Sequence, residues 1–181
     1  IPFFSACVME GSGRGTASKA ISKFSSAEIR QSTTVEKTSF DKNTKIVGKA
    51  GVIHEWANGT LRWFLRSWIG ESGESTHQLY IEIEYGDNWR FYETAQTTDA
   101  QSVDLVIIDR DVNCSSSNCY FKEVVGVNLS RDFLKTKIDT GFRIRLLPKK
   151  FAPFFVTIPG NYVFGYLQSV DDQLRLAGHI D

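Results

Sequence analysis

The clearest strand pattern in the chain is Leu79-Tyr80-Ile81-Glu82-Ile83-Glu84-Tyr85, in which apolar and polar side chains alternate. A period of two puts the four apolar side chains on one side of a strand, so one face is expected to be buried and the other to meet solvent. Gly86-Asp87-Asn88 then predicts a turn. We expect residues 89–95 to return as the antiparallel partner of this strand.

Short apolar runs bounded by turn residues recur along the chain, and each predicts a strand. The predicted strands cover residues 33–40, 45–55, 60–69, 103–109 (an interior strand), 120–129, 142–147 and 154–158. Asn58-Gly59 is a strong hairpin signal because both residues tolerate positive φ. Two short helices are predicted near the C-terminus, one between an N-cap at Ser130 and a stop at Gly141, the other with Pro159 at its first position. The expected fold is mainly β at the margin of α+β, an antiparallel β-sandwich or partly open barrel carrying these helices.

Length, net charge and the length of apolar runs limit the classes to which this protein can belong. The 181 residues suit a single domain, and 21 basic residues balance 21 acidic ones, giving a net charge of zero. A neutral chain lacks the basic footprint that nucleic-acid binding normally needs, so no nucleic-acid partner is expected. No run of 18 apolar residues occurs, so no membrane-spanning helix is expected.

The first residues, Ile1-Pro2-Phe3-Phe4-Ser5-Ala6-Cys7, have the pattern of an export cleavage site. The quartet ending at Cys7 resembles the lipobox of bacterial lipoproteins, in which two small residues precede the cysteine that is lipidated. Phe4 departs from the usual Leu. The resemblance implies a lipid anchor on Cys7 and a place in the bacterial cell envelope, facing the periplasm or the exterior. A free or buried cysteine is the alternative.

The sequence divides into four predicted segments. Residues 1–7 are the signal-peptide remnant with its lipobox, and residues 8–31, rich in Gly and Ser, are a flexible linker or a short helix. Residues 32–173 form a single β-rich globular domain, and residues 174–181 are a C-terminal tail.

Cys114 and Cys119 are separated by four small polar residues, which suits the tip of a hairpin. We predict a disulfide there, because a continuous strand or a helix would hold the two residues too far apart. A reduced pair and a redox or metal site are the alternatives. The histidines are scattered in the sequence, so no metal site is predicted. A disulfide indicates an oxidising compartment.

Histidine and tryptophan side chains are the remaining candidates for a binding site. His54 and His77 are expected at the surface or at strand edges, and together with Trp56 they form a candidate ligand platform. Trp56 adjoins the Asn58-Gly59 turn and is expected to be exposed, whereas Trp63 and Trp89 are expected in the core. A catalytic triad assembled from distant residues stays open as an alternative.

The globular part also resembles exported proteins of proteobacteria. The residues that carry this resemblance are Leu65-Arg66-Ser67-Trp68, His77-Gln78-Leu79-Tyr80, Trp89-Arg90-Phe91-Tyr92, the cysteine tip and Ile158-Pro159-Gly160-Asn161-Tyr162-Val163. This resemblance implies export but no activity.

Neither a G-x-S-x-G nor an H-E-x-x-H motif occurs. The expected function is therefore a non-enzymatic β-domain that binds a ligand or an envelope protein, without a cofactor. The alternatives are an envelope hydrolase with dispersed catalytic residues and a small-molecule carrier with an aromatic-lined cavity.

Overall fold

Antiparallel strands make up most of the structure, a computed structural model that describes residues 23–37, 42–56, 59–86, 88–115 and 118–180, with the backbone alone for 53–56. The strands are β1 (Thr34–Glu36), β2 (Thr44–Val47), β3 (Gly51–Trp56), β4 (Gly59–Ile69), β5 (Ser75–Tyr85), β6 (Tyr92–Thr97), β7 (Ser102–Val103), β8 (Leu105–Ser115), β9 (Asn118–Leu129), β10 (Phe142–Pro148) and β11 (Phe154–Ile158). The helices are α1 (Ser26–Ser32), α2 (Arg131–Lys135) and α3 (Gly160–Leu176).

The described strands form two open antiparallel sheets. The larger sheet has the order β1-β2-β4-β5-β9-β8, and β3 also pairs with β4, beyond the end of β2. The smaller sheet has the order β11-β10-β6-β7. Buried apolar side chains from both sheets and from the helices belong to one core. The predicted class, mainly β and antiparallel with a C-terminal helix, is confirmed, and the sheets do not close into a barrel.

Strand β5 lies at the centre of the larger sheet, between β4 and β9. Leu79, Ile81, Ile83 and Tyr85 are fully buried, while the alternate side chains are partly exposed. The alternation of the sequence therefore reports the two faces of this strand correctly, because a strand turns its side chains to opposite faces in succession.

The predicted partner of β5 is wrong. Residues 88–91 form no strand, and β6 joins the smaller sheet, where it pairs with β10 and β7. The chain leaves the larger sheet after Tyr85 and crosses to the other sheet through a segment that includes Phe91 at a φ of 53°. Strand β5 pairs with β9 instead, in a register that sets Tyr85 opposite Phe121.

Two further strand predictions need correction. The strand predicted over 45–55 is divided into β2 and β3, and a Cβ built on Gly48 between them would lie 2.5 Å from the Tyr162 hydroxyl oxygen. The interior strand predicted over 103–109 is mostly β8, which lies at the edge of the larger sheet. Val106, Ile107 and Ile108 are accordingly exposed rather than buried.

The C-terminal helices follow the predicted signals with small shifts. The Ser130 hydroxyl accepts a hydrogen bond from the Phe133 N–H, as an N-cap should, but α2 has only five residues. Pro159 is the N-cap of α3 and not its first helical residue, and α3 has 17 residues rather than being short. Gly141 has a φ of 69°, which suits the stop predicted there.

The globular part is wider than the predicted range 32–173. Helix α1 begins at a capping box in which Ser25 and Glu28 bond each other's backbone, and Ile29 is fully buried in the core. Leu174 of α3 is also buried, so the predicted tail over 174–181 begins as part of this helix. Within the segment 8–31, the residues from Ser26 onward belong to helix α1, and residues 8–22 lie outside the described part.

In the described part of the chain, no helix combines the length and the apolar character needed to cross a membrane.

Candidate functional site

A cleft of ≈ 700 Å³ opens beside β8, where three separate segments meet. One wall is the crossover between the sheets, the second is β8, and the third is the connection from β10 to β11. Ligand sites for small molecules usually measure about 300–1,000 Å³, so the cleft has a suitable size. Its lining residues are Asn88, Trp89, Arg90, Phe91, Glu93, Ile107, Arg110, Lys149, Lys150 and Phe151.

Aromatic rings form the apolar part of this cleft. The rings of Trp89 and Phe91 stack at 5.9 Å, and Trp89 also meets Phe121 edge-on at 5.0 Å. Phe91 is 39% exposed and Ile107 is 48% exposed, which is high for such apolar side chains. Exposed apolar groups that gather in a concave site commonly mark a place where a ligand is bound.

Cationic side chains stand among these rings. The Arg90 guanidinium lies 4.1 Å from the ring centre of Phe151 and 5.1 Å from that of Tyr85. The Arg110 guanidinium lies 5.0 Å from the ring centre of Phe91. Lys149 pairs with Glu93 at 3.2 Å, and Lys150 is exposed. Such cation–aromatic contacts hold the two guanidinium groups against the rings.

Among the described residues of the cleft, basic side chains outnumber acidic ones. Four cations stand against one exposed carboxylate, Glu93, and one buried carboxylate beneath the cleft, Glu123. The formal charges of these described side chains sum to about +2, in a chain whose total charge is zero. Basic side chains between aromatic walls attract an anion that also carries a flat apolar part.

Glu123 holds the crossover wall in position from below. Its side chain is 1% exposed, and one carboxylate oxygen accepts the backbone N–H of Arg90 at 3.0 Å and of Phe91 at 2.9 Å, together with the Tyr85 hydroxyl. The other oxygen accepts Arg110 Nε at 3.0 Å. Burial and this hydrogen bond raise the pKa of Tyr85, so the phenol stays protonated as a donor. The carboxylate thus replaces the strand partner that the crossover backbone lacks.

The crossover backbone carries strain at the mouth of the cleft. Phe91 lies in the left-handed region, at φ 53°, which a bulky residue rarely adopts. Such a conformation costs of order 1–3 kcal/mol and persists only where surrounding contacts enforce it. The Glu123 carboxylate supplies such a contact by accepting the Phe91 N–H. Strained residues gather at ligand sites, so this geometry agrees with a binding role for the cleft.

His77 lies elsewhere, buried on the inner face of β5, and the expectation that it is a surface or edge residue is wrong. Its Nδ1 contacts the Ser67 hydroxyl at 2.6 Å and its Nε2 contacts the Ser75 hydroxyl at 3.1 Å. The Ser67 hydroxyl also contacts that of Tyr166. Burial, reinforced by the charge of Arg131, lowers the pKa of His77 to about 4, so the ring is neutral at neutral pH.

The contacts of His77 do not match a catalytic triad. A triad histidine bonds a serine through one ring nitrogen and a carboxylate through the other, whereas both nitrogens of His77 meet serine hydroxyls. Ser67 and Tyr166 are fully buried. This arrangement satisfies polar groups between the larger sheet and α3, and it offers a substrate no access.

The other predicted site residues are dispersed. Trp63 is in the core, as predicted, whereas Trp89 is half-buried in the cleft and not in the core. His54 and Trp56 belong to β3, but their side chains lie outside the described part, so the ligand platform stays a prediction. Cys7 lies outside the described residues.

Cys114 and Cys119 face each other across the β8–β9 hairpin, with their sulfur atoms at disulfide distance. Their Cα atoms are 4.0 Å apart, slightly less than the roughly 4.5 Å of directly opposite residues in a non-hydrogen-bonded pair. The predicted pairing at a hairpin is thus present.

The sequence matches no protein-family model, and the comparisons with curated proteins and with solved structures give no match.

Proposed function

We propose that this chain is an exported, non-enzymatic binding domain, tethered to an envelope membrane through a lipid on Cys7, and that its ligand occupies the cleft beside β8. The observation that carries the binding function is the group of basic side chains that lie among aromatic rings, some of them exposed, in a cleft of ≈ 700 Å³. A ligand with both anionic and flat apolar groups would neutralise the cations and cover the rings.

The composition of the cleft supports binding rather than hydrolysis. Among its described lining residues there is no histidine, serine or cysteine. Glu93 forms an ion pair with Lys149, and Glu123 forms one with Arg110. Both carboxylates are thus engaged by basic side chains, and neither is held ready to exchange a proton with a bound substrate. The carrier alternative uses the same cleft and shares the expectations below.

Two features support the proposed location of the protein in the cell envelope. Ser5-Ala6-Cys7 has the small-small-cysteine order of a lipobox. The pair Cys114 and Cys119, at disulfide distance, suits an oxidising compartment. Stable anchoring needs at least two acyl chains, as a lipidated N-terminal cysteine provides.

The binding test uses the fluorescent anion 8-anilinonaphthalene-1-sulfonate, which combines a sulfonate with aromatic rings. Binding to the native protein is expected to weaken about tenfold in Phe91→Ala, because the ring beneath Arg110 is lost. The matched control is Phe155→Ala: Phe155 is 42% exposed and lies 4.0 Å beneath Arg143, but it borders a depression of only ≈ 140 Å³ on the smaller sheet.

Equal affinity of the two variants would contradict the proposed site, and so would a native protein that does not bind the fluorescent anion. A cooperative unfolding transition of each variant must accompany the titration, since this dye also binds partly unfolded chains.

A further inference from the structure

In the described part of the chain, β8 is an edge strand of the larger sheet and borders the cleft. It is the last strand in the order of the larger sheet and pairs with β9 along one side over its 11 residues. No described strand pairs with its other side. An open edge presents a row of backbone N–H and C=O groups to which another extended segment can add.

The two faces of β8 differ in charge. Register with β9 puts Ile107 and Arg110 on the cleft face, opposite Val125 and Glu123, and both side chains line the cleft. Asp109 and Asp111 pair with Val124 and Lys122 and lie on the opposite face, where Lys122 is 3.6 Å from one carboxylate and 3.9 Å from the other. Lys122 is thus shared by two carboxylates, and these three side chains together have a net negative charge.

Edge strands of natural sheets commonly carry charged side chains or bulges that prevent pairing with another chain. Strand β8 has these features only in part. A bulge interrupts the register between Ile107 and Asp109. The apolar side chains around it stay exposed, each between 40% and 48%: Val106, Ile107, Ile108 and Val112. A long edge with exposed apolar side chains on both sides of a charged centre is suited to a partner strand.

We propose that the cleft ligand is an extended peptide segment that adds to β8 as a further antiparallel strand. This inference rests on the proposed binding function of the cleft. Alternate side chains of such a segment point to opposite faces. Those on the cleft face meet Arg110, Lys149 and Lys150 among aromatic rings and are acidic or aromatic. Those on the other face meet Asp109 and Asp111 and are basic.

A second copy of this chain fits the edge less well. When two β8 strands pair antiparallel around Arg110, that residue faces its own copy and Asp109 faces Asp111. Like charges directly opposite each other are destabilising in a sheet. Charge complementarity therefore favours a different sequence as the partner.

The test uses an end-capped, seven-residue peptide with Lys at odd positions, Glu at the second and sixth positions and Phe at the fourth. Its fluorescently labelled form is titrated with the full chain, and anisotropy is measured. The control peptide has the same side chains but is N-methylated at every second backbone nitrogen, which removes the donors for strand pairing. We expect the control to bind at least about tenfold more weakly, because several backbone hydrogen bonds are lost.

Protein variants test the charge of each face. Lys150→Glu in the cleft and Asp111→Lys on the opposite face are each expected to weaken the peptide about tenfold. Lys135→Glu and Asp132→Lys on α2 change the same charges at exposed positions away from the cleft, and they should leave the affinity unchanged.

The outcomes separate this inference from the proposed function. Equal binding of the two peptides, or no peptide binding up to millimolar concentration while the sulfonate dye still binds and responds to Phe91→Ala, would overturn strand addition and leave the cleft as a ligand site. Failure of both the dye and the peptide would overturn the proposed function as well. A dimer in sedimentation that excludes the peptide would identify a second copy as the occupant and overturn the inference.

Discussion

Replacing Glu123 by Gln tests whether one buried carboxylate holds the cleft wall. The side chain keeps its shape, but one of its two acceptor oxygens becomes an NH₂ donor. If the remaining oxygen stays with Tyr85 and the N–H groups of Arg90 and Phe91, the new NH₂ faces Arg110 Nε, which lies 3.0 Å from the replaced oxygen. The amide NH₂ and the Arg110 Nε–H, both hydrogen-bond donors, then face each other in a buried position.

The expected cost follows from these contacts. A hydrogen bond to a charged group contributes about 1.5–3 kcal/mol, and breaking a buried ion pair by removing one partner costs about 3–5 kcal/mol. The Arg110 side chain is 28% exposed and regains part of its solvation from water. We therefore expect Glu123→Gln to lower the free energy of unfolding by about 3 kcal/mol.

The assay is equilibrium unfolding in urea, in which the midpoint should fall while the slope stays unchanged. Glu93→Gln is the matched control, since it makes the same chemical change in the same cleft. Its ion pair joins side chains that are 53% and 61% exposed, so its loss should cost less than about 1 kcal/mol. Equal costs for the two variants would refute the structural role of Glu123.

Four further predictions concern the core, a buried histidine, the hairpin tip and the anchor. Ile81→Ala should lower the unfolding free energy by about 2–5 kcal/mol in urea titrations, against well under about 1 kcal/mol for Glu82→Ala; similar values would mean that the face of β5 is misassigned. The native pKa of His77, about 4, lies below its ordinary value of 6.5, so the unfolded state takes up the proton first as pH falls. The contribution to stability is present above pH 6.5 and lost towards pH 4, by about 3 kcal/mol, and the pH dependence of unfolding should lose this component in His77→Gln. Reducing the disulfide at the β8–β9 tip should cost no more than about 2 kcal/mol and leave a cooperative transition, as calorimetry would show; global unfolding would contradict a local role. Cys7→Ala should release the protein from membranes and remove the lipid mass, and an unchanged membrane fraction with no lipid on the native protein would disprove the anchor.

Local pattern predicted which face of β5 is buried, but it did not predict which strand lies beside β5. The side chains of Leu79, Ile81 and Ile83 are buried as their alternation requires, and the cap at Ser130 bonds as its residue type predicts. Both features depend on residues that are close in the sequence. The destination of the chain after Tyr85 depends on a carboxylate 38 residues later, since Glu123 bonds the crossover backbone.

The cleft could not be predicted because each of its three segments carries an incomplete signal. The sequence Trp89-Arg90-Phe91-Tyr92 has one basic residue among three aromatic ones, but it also fits a strand, and that interpretation gave the wrong partner. Residues 149–151 lie between two predicted strands, and Arg110 directly follows the predicted strand 103–109, so neither position is marked as part of a site. Only sheet pairing brings them together, by making β8 an edge and sending β6 to the other sheet. The same two events leave Phe91 and Ile107 exposed in one cleft, so the strand pairing that local sequence patterns could not predict is also what forms the proposed binding surface.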